Sequence, residues 1–67
     1  MKISNLIATL EKIKTEYGDI AITGGYMSHD RPLDRVSVTD SHGYEIWPTN
    51  DYPKHGFPID GVFFESN

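Results

Sequence analysis

The chain has 67 residues, no cysteine and a formal net charge of −4, with a pI near 5.1. At this length it forms one domain at most, buries only roughly 60% of its unfolded surface, and has no disulfide or thiolate-metal staple, so a small core or a subunit interface must hold it together. Its six basic residues, Lys2, Lys12, Lys14, Arg31, Arg35 and Lys54, are scattered among acids; this argues against a nucleic-acid-binding stripe. No apolar run reaches the roughly 20 residues that span a bilayer, and the N-terminus lacks a signal peptide's apolar core, so the expected compartment is the cytoplasm.

Apolar residues at Ile3, Leu6, Ile7, Leu10, Ile13 and Tyr17 recur at helical spacing and predict an amphipathic helix from Ile3 to Gly18 with one buried stripe. Ser4 has the chemistry of an N-cap, Ile3 would staple onto Ala8, and Gly18 suits the helix end. Asp19 to Thr23 then reads as a strand that the Gly24-Gly25 pair ends. From Tyr26 to Pro32 the chain is polar and irregular, a loop of the kind that binds partners.

Leu33 to Thr39 and Tyr44 to Trp47 each alternate, and Asp40-Ser41-His42-Gly43 between them is hairpin chemistry: a short side chain to bond the turn backbone, then a glycine for positive φ. Pro48 closes the second strand. Thr49 to Gly61, with Pro53, Gly56 and Pro58, is expected to be a second loop, and Val62-Phe63-Phe64 a short edge strand. The expected fold class is α+β: a single N-terminal helix on one face of a small, three- to four-stranded, mainly antiparallel sheet in one domain, residues 1–67. Alternation would place Ala21, Arg35, Ser37, Glu45, Trp47 and Phe63 on the face away from the helix.

The opening MKISNLIATLEKIKTEYGDIAI resembles the start of short phage and prophage proteins of unknown function. Those begin with a Met-Lys-aliphatic-Ser-x-Leu-Ile helix followed by a Gly-Asp turn and an alternating strand. The resemblance covers Met1 to about Ile22, with an echo in the Val36 to Ile46 hairpin; the tail from Thr49 to Asn67 departs from it. It implies a setting in which small acidic accessory proteins bind and block host proteins, including nucleic-acid-handling defence machinery. It carries no catalytic residue.

Residues with chemistry do not assemble into a motif. His29, His42 and His55 lie in three predicted loops without metal-site spacing, and Ser28-His29 and Ser41-His42 are sequence neighbours, not triads. Gly24-Gly25 opens no helix and precedes no Lys-Ser/Thr, so it is not a phosphate loop. The expectation is therefore no enzyme, cofactor or metal. The function expected is protein–protein binding through the loops Tyr26 to Pro32 and Thr49 to Asp60, with Trp47 and Tyr52 as apolar anchors, Asp30, Asp34 and Asp51 as charge complements, and Tyr26 also among the partner-binding residues. The partner would be a host protein, and nucleic acid and membrane would not be direct ligands. The alternative is a structural homodimer through the uncovered sheet face or an edge strand.

Overall fold

A computed structural model describes residues 1–49 and 57–66. Helix α1, Ile3–Tyr17, is followed by strands β1 (Ile22–Tyr26), β2 (Leu33–Asp40), β3 (Glu45–Trp47) and β4 (Ile59–Ser66). They form one sheet in the order β1-β4-β2-β3. The fold is α+β, and two of the three strand pairings are antiparallel.

The helix ends at Gly18, whose N–H donates to the Lys14 carbonyl at 2.9 Å. Its start differs from the Ser4 cap that the sequence suggests. Lys2 is the extended residue before the helix, with no side-chain cap, and its carbonyl already accepts the Leu6 N–H at 3.0 Å. Ser4 therefore lies inside the first turn, where its hydroxyl donates to Asn5 Oδ1 at 3.4 Å. Ile3 is inside the helix too and cannot act as a staple. The Met1 ammonium donates to the Leu33 carbonyl at 2.6 Å and ties the helix start to the start of β2.

Two strands also depart from expectation. β1 runs through Gly24-Gly25 instead of stopping there, because its neighbour β4 lies parallel and close. A Cβ at Gly24 would stand 3.3 Å from the Phe63 ring; at Gly25, with φ 150°, it would stand 2.2 Å from the Phe64 carbonyl oxygen. The glycines thus admit the neighbouring strand. β4 is not an edge strand but the eight-residue centre of the sheet, parallel to β1 through Ile22↔Val62 and antiparallel to β2 through Val38↔Val62 and Val36↔Phe64. Its unbroken Val62-Phe63-Phe64 run suits a strand flanked on both sides.

The β2–β3 hairpin follows the turn chemistry. Asp40 Oδ1 accepts the N–H groups of His42 at 2.9 Å and Tyr44 at 3.0 Å, the Asp40 N–H donates to the Tyr44 carbonyl, and Gly43 takes φ 82°. The core is small: Ile13 from the helix and Val36, Val38 and Val62 from the sheet are buried, each contributing about 1.5–3 kcal/mol by leaving water. Leu6, Leu10, Tyr17 and Phe64 pack around them, half-buried.

Candidate functional site

The apolar stripe of α1 is wider than the sheet beneath it. Leu6, Leu10, Ile13 and Tyr17 pack on the core, whereas Ile3 and Ile7, one turn apart on the flank toward β1, remain 79% and 53% exposed. Between that flank and β1 lies a cleft of about 280 Å³. Ile7, Leu10, Ile20, Ile22 and Val62 supply its apolar lining, with Glu11, Lys14 and Asp19 also bordering it.

β1 forms the sheet edge beside this cleft. All five of its residues are exposed, with Ile22 at 58% and Tyr26 at 78%, and Met27 just beyond stands at 55%. No charged residue occurs between Ile20 and Ser28. The opposite edge, β3, is only three residues long, carries Glu45 and stops at Pro48. Short length, charge and proline are devices that discourage edge pairing, and of these β1 has none. Contiguous exposed apolar surface on a small protein marks an interaction site.

The residues proposed from sequence divide between two places. Tyr26 is exposed at the end of β1, its ring edge-on to Phe63 at 5.7 Å between centroids. Asp30, in the following loop, accepts the Ser28 hydroxyl at 2.5 Å, and that loop is joined to β4 by the Ser28 N–H donating to Ser66 Oγ at 3.1 Å. Asp34 is exposed at the start of β2. Tyr26, Asp30 and Asp34 therefore share one end of the sheet. Trp47 lies on the far edge strand and on the helix side, half-buried against the core and bordering a hollow with Ala8, Lys12 and Glu16.

The position of Trp47 is a correction with a clear cause. Val38 pairs with Trp47, but the next β2 residue, Thr39, pairs with Glu45, so β3 holds an extra residue and its alternation is interrupted. Arg35, Ser37, Glu45 and Phe63 remain away from the helix, where Arg35 and Glu45 form a bidentate ion pair. The Arg35 hydrogen bond is the chief cause that holds the Glu45 carboxyl below its usual pKa, reinforced by bonding to Thr49 and opposed by burial.

His29 is exposed, and His42 stacks on Phe57 at 3.7 Å. Among the described residues no group of three or more histidines and carboxylates is placed to hold a metal ion, and no helix is long and apolar enough to cross a membrane. Asp51, Tyr52 and His55, with the rest of residues 50–56, lie outside the described residues.

Sequence reasoning missed Ile3, Ile7 and Ile22, because apolar residues at regular spacing read as buried. The available signal was width: on a helical projection Ile3 and Ile7 fall to one side of the Leu6, Leu10, Ile13 and Tyr17 row. Compared with family profiles, curated proteins and solved structures, the chain matches none of them.

Proposed function

We propose that this chain is a non-enzymatic binding protein that docks onto another protein through the β1 edge and the apolar flank beside it. The observation that carries this reading is the uncharged β1 edge, all five of whose residues are exposed, bordering a cleft lined by Ile7, Ile22 and Val62. An edge of this kind accepts a further strand by backbone hydrogen bonding, while an adjacent apolar groove takes alternate side chains of that strand. Asp30 and Asp34, at the same end as Tyr26, supply charge at the rim, where it steers association. The phage and prophage resemblance of Met1 to Ile22 supports an accessory role in the cytoplasm of a host, with a host protein such as an antiviral defence complex as the target.

The test is capture from host lysate by the tagged chain beside its Ile22→Lys variant, with both shown to be folded. A defined host protein recovered by the native chain and lost with the variant is the expected result. Recovery of no host protein, or equal recovery by both chains, overturns the reading.

A further inference from the structure

The geometry points to a second copy of this chain as an occupant of the β1 edge: two copies pair β1 to β1, antiparallel, about a two-fold axis perpendicular to the sheet and passing near Gly24 and Gly25. This rests on the reading of β1 as the binding edge and names what meets that edge in the isolated protein.

Three observations carry the assignment. The first is charge. Antiparallel self-pairing sets the Ile22 end of one strand against the Tyr26 end of the other, and the stretch from Ile20 to Ser28 contains no charged residue, so no like charges come opposite one another, the usual penalty for pairing identical strands. The two glycines offer no side chain to hold the second backbone away.

The second observation is the helix. A two-fold axis perpendicular to the sheet keeps both helices on one face, so the cleft beside β1 in each copy opens toward its counterpart. Ile3 and Ile7, left 79% and 53% exposed in one copy, then cover the seam between two. The dimer becomes a continuous eight-stranded sheet with an apolar layer crossing its middle.

The third is area. Stable interfaces bury about 800 Å² on each partner, roughly a sixth of the 4890 Å² accessible here. Of nine exposed large apolar side chains among the described residues, six are Met1, Ile3, Ile7, Ile22, Tyr26 and Met27. They belong to the helix start and the β1 segment, where such an interface would take its area. Self-pairing through one patch closes at two copies and leaves no free β1 edge to propagate.

Light scattering on the eluting protein, from low to high micromolar loading, tests this together with one chemical reporter. Because the chain has no cysteine, Gly24→Cys introduces a single thiol; its Cβ meets only the Phe63 ring, at 3.3 Å, and circular dichroism checks that this variant folds as well. Two copies in this arrangement bring those thiols within the separation a disulfide needs, so mild oxidation should give a covalent dimer, while a Ser41→Cys control on the β2–β3 turn should not. The native chain should elute as a dimer, and Tyr26→Lys and Ile3→Lys should each weaken it at least tenfold while circular dichroism shows them folded. A strict monomer at high micromolar concentration overturns the inference. So does a dimer indifferent to both lysine variants, or equal cross-linking at positions 24 and 41. A monomer that still captures a host protein, with capture lost in Ile22→Lys, overturns self-pairing alone and leaves the proposed function standing. A dimer that captures nothing does the reverse.

Discussion

Arg35 holds both carboxylate oxygens of Glu45 with its two terminal nitrogens, Nη2 to Oε2 at 2.5 Å, and the same Nη2 donates to Thr49 Oγ1 at 3.3 Å. The pair joins β2 to β3 across the sheet face away from the helix, and it titrates. Glu45 is held below its ordinary value of 4.5, chiefly by the Arg35 hydrogen bond. A carboxyl whose folded pKa is depressed contributes stability above its unfolded pKa and loses it as pH falls through the folded value. Glu45→Gln should therefore cost about 1 kcal/mol or less at neutral pH, because both side chains retain solvent contact. The gap between variant and native chain should narrow as pH falls from the ordinary carboxyl value through the lower folded one. Urea midpoints across that range measure it; a gap that persists unchanged in acid would contradict the assignment.

Glycine substitutions should separate crowding from backbone strain. At Gly25 a methyl would meet the Phe64 carbonyl oxygen at 2.2 Å, whereas at Gly43 it would meet nothing within 4 Å. Gly43→Ala incurs only the left-handed backbone cost, about 1 kcal/mol, or roughly 5 °C in Tm for a domain of this size. Gly25→Ala adds a clash with a neighbouring strand and should cost about 3 kcal/mol or more. Equal melting temperatures for the two variants would mean that Gly25 is not packed against the Phe64 backbone.

The helix should respond by position, not by hydrophobicity. Ile13 is 2% exposed, and Ile13→Ala should cost about 2–5 kcal/mol, much of the roughly 3–10 kcal/mol total available to a chain of this length. Ile3→Ala, on the open flank, should change monomer stability by less than about 0.5 kcal/mol. Chemical denaturation at dilute concentration distinguishes these cases.

Asp40 is buried and accepts two backbone N–H groups. Asp40→Ala orphans both and should cost about 1–3 kcal/mol, while Asp40→Asn keeps a carbonyl oxygen in place and should cost less. Amide exchange at His42 and Tyr44 should accelerate in the alanine variant. Unaltered exchange at both would remove Asp40 from its organising role.

What could be read from sequence was what neighbours in the chain decide. The helix stop at Gly18 and the turn from Asp40 to Gly43 depend on residues a few positions apart, and both stand as read. Whether Gly24-Gly25 ends a strand depends on Phe63 and Phe64, some forty residues away; with no knowledge of that neighbour, two glycines read as a break. The central place of β4 has the same origin, since strand order is set by long-range pairing. Trp47 was misplaced because alternation assumes no extra residue, and one extra residue in β3 is enough to defeat it. Of the candidate site, the exposure of Asp30 and Asp34 agrees with their loop and strand-end positions, whereas Tyr26, which reads as the start of a loop, is the last residue of β1. The flank of Ile3, Ile7 and Ile22 did not, because periodicity identifies an apolar face without saying whether anything covers it.

The location of β4 bears on how the chain is made. Among the described residues it is the last strand in chain order, yet there it alone lies between β1 and β2 in the sheet. During vectorial synthesis, α1, β1 and the β2–β3 hairpin leave the ribosome with no common neighbour, and only the hairpin has a pairing partner at hand. The sheet closes when Gly61 to Ser66 arrive and slot between strands that have been waiting for them, a late, long-range event that low-contact-order folds avoid. Until then β1 is exposed on both sides. A nascent chain arrested before Gly61 would present that strand, and the apolar underside of the helix, to whatever lies nearby.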